Sequence, residues 1–248
     1  NCIAVEETTC PPLVIELVQR LGPSTGGATQ GAQGDVLLAE YCTSGGYTIP
    51  MLCPSTPAEC YELTILAFSW AELLRTPVII LTDKEVGMTT ESIDIANLST
   101  VQCASRKLIP RPTNGHYHTL MYDFINPSDV PAFVEVGSET KVTATGSAHN
   151  KSGELKKNDE ETLLVLRHLE EKIRQKKDDM AMVKRDLEPG ATTLLISYGI
   201  TARAMKEAVL MARSQGKKVS ALHLLTLFPI PECEISKAAE SVSRVVVA

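Results

Sequence analysis

The stretch Gln19-Arg20-Leu21-Gly22-Pro23-Ser24-Thr25-Gly26-Gly27-Ala28-Thr29-Gln30-Gly31-Ala32-Gln33-Gly34-Asp35 carries the clearest chemistry in this chain. A short apolar run ends at Arg20, and residues 21–34 then hold five glycines. Glycine lets a backbone approach a ligand closely and turn its N–H groups toward an anion. Arginine at the end of the run offers a planar fork that matches a carboxylate or a phosphate. The hydroxyls of Ser24, Thr25 and Thr29 can complete such a site. The residue types read as a recognition loop for a small carboxylate or phosphate. A glycine-rich connection carrying a solvated arginine is the alternative. No Gly-Lys-Ser/Thr follows, so this is not a P-loop, and the spacing GxGxxG of a dinucleotide site is missing.

The other reactive side chains read as structural. Seven cysteines (Cys2, Cys10, Cys42, Cys53, Cys60, Cys103 and Cys233) are an odd number in a long chain, which argues against a disulfide scaffold. No CxxC pair occurs, so a zinc ribbon or an iron–sulfur cluster on this chain alone is not expected. Reduced, buried thiols are the reading. Asp83 ends an apolar run and reads as a turn or N-cap residue. His149 reads as a packing residue and His223, within an apolar run, as core. Lys184 and Arg185 read as helix-end cations that complement the dipole. No metal constellation is visible.

Composition narrows the class. The chain has 248 residues, which at roughly 150 per domain suits one large or two modest domains. Apolar residues make up 44%, enough for a core and against disorder. A formal net charge of −6 argues against a general nucleic-acid binder. No apolar run approaches the ~20 residues of a membrane span.

The loop needs a scaffold, and the hydropathy pattern supplies one. Leu13 to Val18 reads as a buried parallel strand. Gly34 to Ala39 opens a helix and Thr48 to Leu52 is a second strand. Thr56, Pro57 and Glu59 form a capping box that starts a helix to about Leu74. That helix is apolar nearly all round, through Leu63, Leu66, Ala67, Trp70 and Leu73, and is expected to be buried on more than one side. Thr76 to Asp83 is the next strand. Residues 95–157 lose the pattern and read as an irregular excursion with one or two short strands. Asn158 to about Leu187 reads as a long charged helix with Leu163, Leu166, Leu169, Ile173 and Met180 on one stripe. Strands at 192–198, 219–225 and 245–247 then alternate with helices at 202–215 and 232–242, a short doubly wound unit. The fold class is α/β with parallel sheets.

The loop sequence, with Gln33-Gly34-Asp35, resembles the signature of the alpha subunit of 2-oxoacid:ferredoxin oxidoreductases. The likeness runs on through Pro54-Ser55-Thr56-Pro57-Ala58-Glu59-Cys60, Ala71-Glu72-Leu73-Leu74-Arg75-Thr76-Pro77-Val78-Ile79 and Leu81-Thr82-Asp83. It returns in Gly146-Ser147-Ala148-His149, in Ser197-Tyr198-Gly199-Ile200-Thr201-Ala202-Arg203 and in His223 through Pro231. The resemblance implies residues 1–103 as the C-terminal part of a thiamine-diphosphate-binding, pyrimidine-type domain. Residues 104–157 would be a connector and 158–248 a transketolase-C-terminal-like α/β domain. It implies oxidative decarboxylation of a 2-oxoacid, 2-oxoglutarate rather than pyruvate, to an acyl-CoA with electrons passed to ferredoxin.

By that resemblance Arg20 pairs with the substrate carboxylate and Thr29 lies beside it, while Gly22, Ser24, Thr25 and Gly26 shape the loop. Thiamine diphosphate would be shared with a beta subunit carrying magnesium and an iron–sulfur cluster. Coenzyme A and ferredoxin would act at the level of a cytoplasmic complex, with no nucleic acid or membrane involved. The family's Tyr-Pro-Ile-Thr-Pro motif and its cofactor-activating glutamate fall upstream of the loop and are absent here. Glu6 and Glu7 read as surface residues. In place of the family's Gly-x-His-Gly stands Tyr41-Cys42-Thr43-Ser44-Gly45-Gly46. Both ends read as cut, so an internal fragment, inactive when isolated, is expected. A non-catalytic scaffold subunit of a thiamine-enzyme complex, a pyruvate-type subunit and an unrelated small-anion-binding protein are the alternatives.

Overall fold

Two sheets, both rich in parallel pairs, organise the chain. The computed structural model describes residues 11–248 except 28, 44–45, 99–102, 110–119, 136, 138–141 and 144–145. Cys2, Cys10, Glu6 and Glu7 lie outside the described residues. In the first sheet Leu13–Gln19 (β1) pairs in parallel with Pro77–Asp83 (β3). Met51–Leu52 (β2) pairs in parallel with the other edge of β3. Thr226–Phe228 (β7) pairs antiparallel with β2 and completes the order β1-β3-β2-β7. The second sheet has the order β4-β6-β5-β8, from Val183–Asp186, Val219–Leu224, Thr193–Tyr198 and Arg244–Val247. Only β4 runs antiparallel in it. The helices are Val36–Glu40 (α1), Pro57–Leu74 (α2), Lys84–Gly87 (α3), Glu160–Arg174 (α4), Gly199–Ser214 (α5) and Glu232–Ala239 (α6).

Strand β3 is buried at all seven positions because both its faces are covered. Its side chains alternate. Val78 and Ile80 join Leu63, Ala67, Trp70 and Leu74 of α2, while Ile79 and Leu81 join Ala39 of α1 and Met51. The α2 core also takes in Ile173 of α4 together with Met180 and Leu225, so the two halves of the chain share one apolar cluster.

The start of α2 is built nearly as its residue types require. Thr56 Oγ1 accepts from the Glu59 amide at 3.1 Å and Pro57 occupies the first turn. The Glu59 carboxylate, however, accepts from Ser55 N and Ser55 Oγ, one residue before the cap. The helix is not buried all round. Tyr61, Phe68 and Leu73 are each more than half exposed, because the sheet and α4 cover the opposite face.

Three further expectations change. The charged helix stops at Arg174 rather than near Leu187. Beyond it Val183–Asp186 pairs with β6, so Lys184 and Arg185 lie on a strand and not at a helix end. The run Lys176-Lys177-Asp178-Asp179 offers no apolar stripe to continue a helix, and a free edge of β6 satisfies the next backbone groups instead. The buried face of α4 is Thr162, Val165, His168, Leu169, Lys172 and Ile173, while Leu163 and Leu166 point outward. Finally, β8 lies at the edge of its sheet and is exposed, not a buried strand.

Among the described residues between α3 and α4, Ile95–Asn97 forms one 3-10 turn and two isolated bridges form, Leu108 to Phe133 and His149 to Leu155. Arg75 ties this irregular excursion down. It caps α2 at φ 48° and is 6% exposed. Its Nη1 donates to Met121 O at 2.7 Å and Ala132 O at 3.0 Å, and the guanidinium lies against the Tyr122 and Phe133 rings. The Lys172 ammonium, 1% exposed, donates to the Arg75 carbonyl at 2.8 Å. Nearby, His149 packs on Tyr122, as read from the sequence, and His168 stacks on Phe124 at 3.7 Å.

Two predictions follow from this knot. Hydrogen bonds to a charged donor are worth about 1.5–3 kcal/mol. Arg75→Met should therefore lower unfolding free energy by about 3 kcal/mol in urea titrations; a change below about 1 kcal/mol would contradict its anchoring role. Burial, reinforced by the Lys172 charge, pulls the His168 pKa down to about 4, so the folded state holds it neutral. The unfolded histidine binds its proton near 6.5. Stability is full above that value and is lost as pH falls from about 6.5 toward 4. His168→Phe should flatten this limb of the stability–pH curve in thermal melts.

Candidate functional site

Strands β1 and β3 end together, with Gln19 opposite Asp83. The residues that follow, Arg20 and Lys84, therefore emerge side by side at the carboxyl edge of the sheet, where α/β proteins place ligands. Gln19 and Asp83 are both buried beneath them. Asp83 Oδ1 accepts from the Val86 amide at 2.8 Å, so it caps α3, as its position in the sequence implied.

The glycine-rich loop folds back on itself. Arg20 N donates to Asp35 Oδ2 at 2.9 Å and Leu21 N donates to Gln30 O at 3.0 Å. The amides of Gly26, Gly27 and Gln30 donate to carbonyls of Pro23, Leu21 and Gly27. The Gly26 and Gly27 N–H groups are thus engaged within the loop and are not turned toward an anion. The use of the glycines is close backbone packing. A Cβ on Gly34 would stand 2.5 Å from the Arg20 carbonyl oxygen, and one on Gly26 would stand 2.8 Å from Pro23 O.

Beside the loop lies a cleft of 510 Å³. Arg20, Thr29, Asp35 and Lys84 give it polar walls, and Leu38 and Met88 give it apolar ones. Lys84 Nζ donates to Thr29 O at 2.9 Å. Of the residues singled out in the sequence, Arg20 and Thr29 thus share one cleft. Gly22, Ser24, Thr25 and Gly26 do not line it; Ser24 and Thr25 sit on an exposed tip, with Ser24 at φ 53°. Lys84 was missed. No local signal marks it, because its nearness to Arg20 follows from the register of β1 on β3.

A second cleft, of 750 Å³, lies among the start of α2, β4, β6 and α5. It is a network of ion pairs. Lys184 meets Glu59 at 2.5 Å, Arg203 meets Glu91, and Arg185, on the cleft wall, meets Glu234. Burial works to raise the Glu59 pKa, but hydrogen bonds from Lys184 and Ser55 outweigh it and hold the carboxyl below its ordinary range. Burial lowers the pKa of His223, which lines this cleft and is only partly buried.

Thiols contribute no visible chemistry. Burial pushes the Cys53 thiol far up and Cys60 up to about 11. Cys42, Cys53, Cys60, Cys103 and Cys233 form no disulfide with one another, and the last two are exposed rather than buried. No group of three or more His, Cys, Asp or Glu side chains is placed to hold a metal ion, among the described residues. No helix among them is long and apolar enough to cross a membrane.

Comparison with known proteins matches this arrangement to one family. Residues 2–162 match the family model described as pyruvate flavodoxin/ferredoxin oxidoreductase, thiamine diphosphate-binding. The chain belongs to that family. Residues 191–248 match the pyruvate:ferredoxin oxidoreductase core domain II. The chain is 35% identical over 237 residues to the 2-oxoglutarate synthase subunit KorA of Methanothermobacter marburgensis, covering 95% of this chain and 62% of that one. It is 31% identical to the subunit of the same name from Methanocaldococcus jannaschii, covering 91% and 59%. The chain thus spans about three fifths of the length of these relatives. The 2-oxoglutarate:ferredoxin oxidoreductase from Magnetococcus marinus, solved with 2-oxoglutarate, coenzyme A and succinyl-CoA bound, superposes with a TM-score of 0.85 at 23% identity. That match covers 100% of this chain and 43% of the other, and it bears out the mixed α/β fold class.

The donor set of the Arg20 cleft bears on what it can hold. Two cations and a threonine suit a carboxylate. The described residues offer no acidic cluster to hold a divalent ion against a diphosphate. They do not fit the metal–diphosphate end of the family cofactor, and no chemical step is assigned to it on this chain.

The packing of Gly34 under Arg20 is testable. Gly34→Ala forces the two backbones apart, at a cost of about 1–3 kcal/mol. Amide exchange at Arg20, Leu21 and Gln30 should accelerate at least tenfold, read by hydrogen–deuterium exchange. Unchanged protection would show that the loop does not depend on this contact.

Proposed function

We propose that this chain is the oxoacid-binding portion of the alpha subunit of a 2-oxoglutarate:ferredoxin oxidoreductase. The observation that carries it is the meeting of Arg20, Thr29 and Lys84 in one cleft at the carboxyl edge of the first sheet. The likeness to KorA subunits favours 2-oxoglutarate over pyruvate. In this reading the enzyme decarboxylates the 2-oxoacid oxidatively, forms an acyl-CoA and passes electrons to ferredoxin. Residues 1–103 belong to the pyrimidine-type domain, 104–157 to a connector and 158–248 to a transketolase-C-terminal-like domain. A beta subunit holds the magnesium ion and the iron–sulfur cluster and shares thiamine diphosphate, in the cytoplasm.

The part played by this chain is electrostatic and positional. The Arg20 fork holds the carboxylate next to the keto carbon with two parallel hydrogen bonds. Its backbone is fixed by Asp35, so little reorganisation accompanies binding. The Thr29 hydroxyl adds a donor beside it, and Lys84 adds a second positive charge that draws the dianion in. The loop residues Gly22, Ser24, Thr25 and Gly26 shape the turn that carries Arg20.

The test uses the assembled enzyme with its partner subunit. Loss of a charged hydrogen-bonding group costs about 1.5–3 kcal/mol. Arg20→Ala should raise KM for 2-oxoglutarate roughly 10- to 100-fold in dye-reduction assays. Apparent affinity for thiamine diphosphate should change by less than about twofold. Unchanged oxoacid kinetics would remove Arg20 from the site.

A further inference from the structure

Among the described residues, the second sheet meets the Arg20 loop at the junction between β5 and α5. There the side-chain amide of Gln33 is used at both ends. Its Nε2 donates to Tyr198 O at 3.0 Å, and its Oε1 accepts from Thr201 Oγ1 at 2.7 Å. Reversing the amide would set its oxygen against the Tyr198 carbonyl and its NH2 against a hydroxyl, so a single orientation satisfies both contacts. Gly199 lies between those partners at φ 54°, and a Cβ there would stand 2.8 Å from Gln33 Nε2. Two weaker contacts flank the amide: Ile200 N to Asp83 Oδ2 and Tyr198 OH to Gln19 Oε1, both at 3.4 Å. The junction therefore touches Gln19, Gln33 and Asp83, each adjacent in sequence or in register to Arg20 and Lys84 or to the segment that fixes them.

Gln33 is also the first residue of the segment that fixes Arg20. The next residue, Gly34, packs its Cα against the Arg20 carbonyl, and Asp35 accepts the Arg20 amide. Two residues, Gly34 and Asp35, join the amide clasp to the arginine backbone. We propose that Gln33 is a positioning residue, clasped by Tyr198 and Thr201, through which the second sheet sets the place of the Arg20 guanidinium. This rests on the reading of Arg20 as the group that binds the oxoacid.

The experiment compares Gln33→Ala, Thr201→Val and Thr201→Ser with Arg20→Ala in the assembled enzyme. Thr201→Val keeps the shape of the side chain and removes the hydroxyl; Thr201→Ser returns it. One lost hydrogen bond corresponds to roughly a three- to tenfold effect. Thr201→Val, which removes one bond, should raise KM for 2-oxoglutarate by about that factor, and Gln33→Ala, which removes both, by at least as much, each with kcat within about twofold. Thr201→Ser should restore the native KM, and the double variant should match Gln33→Ala alone. Hydrogen exchange gives a second readout that needs no turnover: Thr201→Val should speed exchange of the Arg20 and Leu21 amides. A loss of kcat at unchanged KM, a Thr201→Ser defect equal to that of Thr201→Val, or unchanged amide exchange would overturn the clasp. If Arg20→Ala raises KM and the clasp variants do not, the clasp alone fails. If Arg20→Ala also leaves KM unchanged, the oxoacid reading of the cleft fails, and the exchange data still decide whether the clasp holds the loop.

Discussion

The burial of β3 on both faces is the constraint from which the rest of the structure follows. A strand reading Pro-Val-Ile-Ile-Leu-Thr-Asp has apolar side chains on both sides of its pleat, so it needs cover above and below. Helix α2 covers one face, and α1 with its neighbours covers the other. Once β3 is central, β1 must pair along its edge, and the register that matches Gln19 with Asp83 places Arg20 beside Lys84. Two cations side by side repel, and they are tolerated at a solvated carboxyl edge that an anion can visit. Chemistry at this site is thus a by-product of where a wholly apolar strand ends.

The same core explains why the two sheets behave as one structure. Ile173, Met180 and Leu225 come from the second half of the chain and complete the cluster under α2. Strand β7, which directly follows β6 of the second sheet, then pairs with β2 and extends the first sheet. A charged group sits at the centre of this junction. The buried Lys172 ammonium donates a hydrogen bond to the Arg75 carbonyl at the end of α2, and Arg75 in turn carries the irregular excursion on its guanidinium. Buried cations are costly without such partners. Their presence fixes a geometry that apolar contacts alone would leave free to slide.

The two clefts differ in electrostatic design. Around Glu59 and Lys184 opposite charges are paired across strands and helices, which neutralises the surface. Around Arg20 the acidic partner, Asp35, is engaged by the arginine's own backbone amide and not by its guanidinium. The fork is left to face the cleft. Beneath this, the Gly26 and Gly27 amides bond to loop carbonyls, and Gly26 and Gly34 permit backbone approaches that a Cβ would block.

Local signals were enough for much of this. The period-two and unbroken apolar runs marked β1, β3, β5 and β6, the Thr-Pro-x-Glu start marked α2, and the run from Arg20 to Thr29 marked the family. These are properties of neighbouring residues, and chain chemistry alone decides them. What failed was decided at a distance. The segment 183–186 became a strand because β6 had a free edge to pair, which no local propensity reports. Leu73 and Phe68 are exposed because the sheet and α4 cover the opposite side of α2, among the described residues. The nearness of Lys84 to Arg20, and of Gln33 to Thr201, arises from register and from two sheets meeting across more than sixty residues of chain in one case and more than one hundred and sixty in the other. Sequence by itself determined most of the elements and the family, and it singled out Arg20 at the end of β1. Tertiary structure decided which side chains stand next to that arginine, because adjacency across a sheet depends on the pairing of segments that share no local pattern.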